Sequence, residues 1–126
     1  MREYDLYTPD EIREYMTPFL KFCQKHLDLE NMPRVRLVKK LNQDSHQPTF
    51  ATYDTGNHIV TVAYQNRHIM DVMRSTAHEL VHHGQNLRNE LTAKSGETGS
   101  EHENQANSMA GEIMRIWAKN NSQVMK

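Results

Sequence analysis

The sequence predicts an α+β domain in which one helix, three short strands and two further helices follow in that order. Three observations carry this. Apolar residues recur every three or four positions in the first quarter of the chain, and they alternate with polar ones in the middle third. Helical periodicity then returns for two stretches separated by a Gly-, Ser- and Thr-rich connector. With 126 residues, 37% hydrophobic and 25% charged, the chain is sized for one domain with its own core, so a metal would be functional rather than a structural staple.

The first helix is expected to open at Thr8 as N-cap, with Pro9 at the first helical position and Glu11 closing a capping box. It should continue to about Leu29, burying Ile12, Tyr15, Met16, Phe19, Leu20, Cys23 and Leu27, with Pro18 kinking or dividing it. Pro33 ends the helical region. Residues 34–41 then read as a half-buried strand, with Val35, Leu37 and Leu41 on one side and Arg34, Arg36 and Lys40 on the other. Residues 43–48 form a polar loop. Runs 49–53 and 58–64 form a hairpin about Asp54-Thr55-Gly56-Asn57, where Gly56 and Asn57 tolerate the positive φ of a tight turn, and the three strands make a small antiparallel sheet. A helix capped at Asn66 runs to Gly84 or beyond. Residues 92–100 connect it to a last helix over 101–120, striped by Ala106, Ala110, Ile113, Met114 and Trp117.

Fifteen Lys+Arg against 16 Asp+Glu give a net charge of -1, so gross nucleic-acid binding is not expected. The lone Cys23 has no partner for an intramolecular bridge. No apolar run approaches the roughly 20 residues of a membrane span, and Met1-Arg2-Glu3-Tyr4-Asp5 does not open a secretion signal. The expected setting is cytoplasmic, without a membrane partner. The basic residues Arg34, Arg36, Lys39 and Lys40 read mainly as a solvated strand face, and the eight methionines as core filler.

The chemistry lies in His78-Glu79-Leu80-Val81-His82. On a helix, side chains at i and i+4 point the same way, so both imidazoles can reach one metal ion while Glu79 projects from the flank toward an attacking water. Composition predicts only about 0.04 chance occurrences of HExxH in such a chain. Steps of about 100° put His78 and His82 in one sector with Asp71, Ser75 and Gln85, opposite Ile69, Met73, Ala77 and Leu80. His83 falls off that face, behind the ligands or on the surface.

A catalytic zinc needs a third protein ligand and an open position. On the last helix Glu101 and Glu103 differ by about 200°, so only one can face the motif helix. Glu103 shares its side with Ala106, Asn107, Ala110, Met114 and Trp117, which favours it. Glu101, His102 and Glu97 are the alternatives.

The stretch Thr76-Ala77-His78-Glu79-Leu80-Val81-His82, followed by Glu103-Asn104-Gln105-Ala106-Asn107-Ser108-Met109-Ala110, resembles the zincin metallopeptidases with a glutamate third ligand. It is particularly similar to the small peptidase domain of the ImmA/IrrE type, with its HExxH and downstream ExxAN-x-x-A helix preceded by a strand hairpin. The likeness spans about 65 residues from the hairpin to Met114; Val81 stands where that family often has glycine, and the helix-turn-helix module it commonly attaches has no counterpart. By position the resemblance implies His78, His82 and Glu103 as ligands of one Zn2+ per chain, and Glu79 as catalytic acid/base. The expected reaction is hydrolysis of peptide bonds in a protein or peptide substrate, which would pair with the strand ending at Tyr64. Tyr64 and His102 are candidates for polarising the substrate carbonyl, and Asn107 for orienting a ligand. The alternatives are a non-catalytic zinc-containing binding or regulatory module, against which Glu79 argues, and a DNA-associated peptidase using the basic run from Arg34 to Lys40.

Overall fold

The computed structural model describes residues 7–41, 49–92 and 100–121, arranged as a small α+β domain with three helices and a three-stranded mixed sheet. The expected loop over 43–48 and most of the connector over 92–100, Glu97 included, lie outside the described residues.

Helix α1 spans Pro9–Leu27 and opens as the sequence predicts: Thr8 Oγ1 accepts from Glu11 N at 3.1 Å, and Thr8 N donates to Glu11 Oε1 at 2.9 Å. It ends at Leu27, two residues short of the expected Leu29, because Asp28 takes a left-handed φ of 54° as the C-cap. Pro18 does not divide the helix. It sits on the exposed face, where water can take up the carbonyl its missing N–H leaves unpaired.

Strands β1 (Arg34–Val38), β2 (Ala51–Asp54) and β3 (Ile59–Ala63) form a sheet in the order β1-β3-β2, so the expected antiparallel sheet is corrected to a mixed one. β3 pairs antiparallel with β2 and parallel with β1. The reason is apolarity. Ile59-Val60-Thr61-Val62-Ala63 is the most apolar strand, with Val60 and Val62 fully buried, and it takes the centre, whereas Thr52 and Asp54 are exposed on β2 at an edge. The inward rows are Val35, Val60, Tyr53 and Leu37, Val62, Ala51; Arg34, Arg36 and Thr52 face away. In the hairpin turn the positive φ falls on His58 (55°), not on Gly56 or Asn57. Asp54 Oδ1 accepts from Gly56 N and Asn57 N at 3.0 and 3.1 Å, which fixes those two residues and leaves the reversal to be completed one position later.

Helix α2 (Ile69–Leu87) is capped by His68, whose Nδ1 accepts from Met70 N at 3.1 Å, and not by Asn66, which lies in the preceding loop with φ 62°. It passes through Gly84 without a break. Helix α3 (Glu101–Asn120) is capped by Ser100. The helices cover one face of the sheet, α2 against β2 and β3. Ile12, Phe19, Val60, Val62, Ile69, Met73, Leu80 and Ile113 are essentially solvent-free between them. Ala106 and Ala110, also buried, let α3 approach α2 closely. No helix of the described residues is long and apolar enough to cross a membrane.

Candidate metal centre

The i,i+4 spacing on α2 aims His78 and His82 at a common point, and α3 delivers Glu103 to it. Glu103 Oε1 lies 2.8 Å from His78 Nε2, Glu103 Oε2 lies 3.0 Å from His82 Nε2, and the two Nε2 atoms are 3.2 Å apart. Their side chains are 17, 12 and 24% exposed for His78, His82 and Glu103, so the point is sheltered yet open to solvent. Ser100 sets the phase of α3. Its Oγ accepts from Glu103 N at 3.1 Å, which puts Glu103 at the third helical position; Glu101 is exposed and turned away. At the same position of α1, Glu11 closes its capping box, whereas both Glu103 oxygens face the histidines.

The protonation of His82 follows from its neighbours. Gln85 Nε2 donates to the His102 carbonyl at 3.2 Å and to Gln105 Oε1 at 2.6 Å, so Gln85 Oε1 must face His82 Nδ1, 2.8 Å away. Nδ1 therefore carries a proton, and in the neutral ring Nε2 presents its lone pair to the carboxylate. Asn107 hydrogen-bonds the His78 ring, the orienting contact expected from its place one turn beyond Glu103; burial holds this imidazole below its ordinary pKa against the opposing pull of Glu103. At His82 two acceptors, Nε2 and Glu103 Oε2, thus face one another at 3.0 Å, an arrangement relieved by a cation or a further proton between them. Taking one ligand atom from each residue, the three lie within 4.8 Å of one another, a group that could hold a metal ion.

Glu79 lies beside this point. Burial raises its carboxyl to about 7; His82 pulls the other way and Glu103 adds to the rise. Two cavities flank it. One of about 280 Å³ is lined by Tyr53, Thr55, His78, Glu79, His82, Leu91, Thr92 and Glu103. The other, of about 370 Å³, is bounded by Phe50, Ala51, Arg74, Ser75, Asn107 and Ala110 together with His78 and Glu79. Both are bordered by β2 or the residues beside it, which corrects the expectation that the strand ending at Tyr64 edges the cleft: β3 is central and has strands on both sides. The 50↔63 and 52↔61 pairs carry the ladder bonds, so the N–H and C=O groups of Ala51 and Tyr53 point outward on the free edge.

Tyr64 and His102 line neither cavity. Tyr64 packs against the core, and the His102 carbonyl serves Gln85. His83 is neither a support behind the ligands nor on the surface. It is fully buried, donating from Nε2 to the Asn31 carbonyl at 2.9 Å and accepting at Nδ1 from Tyr53 Oη at 2.6 Å. Asn86 Nδ2 donates to Tyr53 Oη and to the Thr55 carbonyl, both at 3.0 Å. This chain of bonds clamps β2 to α2 and holds the cleft edge in place. Sequence reasoning missed Gln85, Tyr53 and Asn86 as contributors; the signal for Gln85 was an amide in the histidine sector, three residues after His82.

Comparison with protein-family models, curated proteins and solved structures finds no match for the chain.

Proposed function

We propose that the protein is a zinc-dependent metallopeptidase of minimal zincin-like build, holding one Zn2+ per chain on His78, His82 and Glu103 and hydrolysing peptide bonds in a protein or peptide substrate. The observation that supports this most directly is the convergence of two imidazole nitrogens and a carboxylate within 3.2 Å, with the outer nitrogen of His82 already committed to Gln85. Zinc in such a site supplies Lewis acidity, which acidifies water and stabilises negative charge developing on a carbonyl oxygen.

The protein's own groups do the rest. Glu79 takes a proton from the attacking water and delivers it to the departing amine nitrogen, so one residue serves as base and then acid. Its buried carboxyl, raised to about 7, suits both directions of transfer near neutral pH, and a neighbouring cation shifts it toward the base form. The outward backbone groups of Ala51 and Tyr53 would pair with an extended peptide and lay it along both cavities, past Glu79.

The test is elemental analysis combined with cleavage of a diverse peptide mixture read by mass spectrometry. Wild type is expected to carry about one zinc per chain and to cut. Glu79→Gln should keep the zinc and lose cleavage, and His78→Ala should lose both. A wild-type protein that does not take up zinc, or a Glu79→Gln variant that cuts as well as wild type, overturns the proposal.

A further inference from the structure

The two cavities beside Glu79 differ in charge. Apart from the cluster and Glu79, the Tyr53 side is lined by Thr55, Leu91 and Thr92, all uncharged. The Phe50 side holds a cation, Arg74, one helical turn before His78. Its guanidinium reaches across to α3: a Cβ placed on Gly111 would lie 3.8 Å from Arg74 Nη1, so the missing side chain leaves the space that the arginine borders. Arg74 has no ion pair or hydrogen bond among the described residues. Its acidic neighbours are otherwise placed, since Glu112 on α3 faces His26 at 3.8 Å and Asp71 acts on the Arg67 charge.

Arg67 cannot substitute for it. Its guanidinium is spent on the carbonyls of Ala63 and Asp71, at 2.7 and 2.8 Å, and on Ser75 Oγ. It also lies 4.5 Å from the Phe50 ring centre and holds that ring in place. Phe50 is 48% exposed, the one exposed large hydrophobic residue among those described. It borders the same cavity as Arg74, next to the outward backbone groups of Ala51.

We propose that the Phe50–Arg74 cavity is a substrate subsite for a carboxylate, so that the peptide cleaved carries an acidic side chain or its own C-terminal carboxylate on that side of the scissile bond. The carboxylate pairs with the planar guanidinium of Arg74, and the methylenes behind it rest on Phe50 and Ala110. The opposite cavity takes an uncharged residue. This assignment rests on the peptidase reading above.

The probes are alanine-based octapeptides with a single Glu, Gln or Lys moved through the sequence, each with a free or an amidated C terminus. Cleavage by wild type is expected to favour Glu over Gln about tenfold at one fixed distance from the cut, chiefly through KM. Arg74→Ala should bring that ratio to within about twofold, and Arg74→Glu should invert it toward Lys. A preference that survives amidation assigns the carboxylate to a side chain; one that amidation abolishes assigns it to the chain terminus. Equal use of Glu, Gln and Lys with either terminus, or a preference unaltered in Arg74→Glu, overturns the subsite. If wild type cuts none of the peptides the peptidase reading fails instead, and anisotropy of fluorescein-labelled peptides on Glu79→Gln still reads the same charge ratios.

Discussion

Gln85→Leu removes the amide that sets the His82 tautomer while keeping a side chain of similar size. Gln85 is fully buried, and the substitution deletes three hydrogen bonds, to His82 Nδ1, the His102 carbonyl and Gln105 Oε1. Two of the partners recover. Gln105 is exposed and can turn to water, and the His102 carbonyl lies in the first turn of α3, where it also accepts within the helix. His82 Nδ1–H does not, because its ring is only 12% exposed. One stranded donor costs about 1–3 kcal/mol of stability. Loss of an orienting partner weakens a metal site by roughly 10- to 100-fold, or about 1.4–2.7 kcal/mol. The assay is competition for zinc against a chromophoric chelator at pH 7.5, with circular dichroism confirming the fold. Gln105→Ala, which touches the site only through Gln85, should stay within about twofold of wild type. A folded Gln85→Leu with wild-type zinc affinity would refute the tautomer argument and, with it, the preorganisation of the centre.

Three further outcomes follow from the same geometry. Glu103→Ala should lose zinc affinity strongly while Glu101→Ala keeps it, because only Glu103 reaches the two Nε2 atoms; equal affinities in the same competition assay would place the third ligand elsewhere. Tyr53→Phe strands His83 Nδ1 and leaves the Asn86 amide only the Thr55 carbonyl, for a loss of about 1–3 kcal/mol in urea unfolding, and an unchanged midpoint would show that the β2 clamp is not formed. Cys23 is fully buried, and its thiol is pushed up to about 12, so Ellman's reagent at pH 8 should find no reactive thiol until the protein is unfolded; immediate reaction would contradict the packing of α1.

What the sequence made legible is local. The Thr8–Glu11 box depends on residues three apart, and the shared face of His78 and His82 on a four-residue interval, so periodicity alone predicts both. Glu103 was legible through the phase of the Ala106–Ala110 stripe, since a helix carries phase faithfully over one turn. Strand order was not. Val35 and Leu37 alternate in the same way whether β1 pairs with β2 or β3, and the choice is made by which strand best tolerates burial on both edges. The place of His83 was illegible for a similar reason: its partners Asn31 and Tyr53 lie 52 and 30 positions away. His68 stood in for a usual capping residue, and Asp54 diverted the turn through its side chain, both choices made by individual hydrogen bonds rather than by pattern.

The central position of β3 also orders the folding of the chain. Asp54 and Ile59 pair across a short turn, whereas Arg34 meets the same Ile59 across 25 positions. Closing the fivefold longer loop costs about 1.4 kcal/mol more in chain entropy. The hairpin can therefore form and dock on α2 before β1 arrives, which makes β1 the last strand to join and the first to detach. Amide hydrogen exchange should find Val38 and Arg36 opening ahead of Thr61 and Ala63, whose N–H groups donate to β2. The elements that build the centre, β2, α2 and α3, would then persist as a unit while the β1 edge opens and closes beside them.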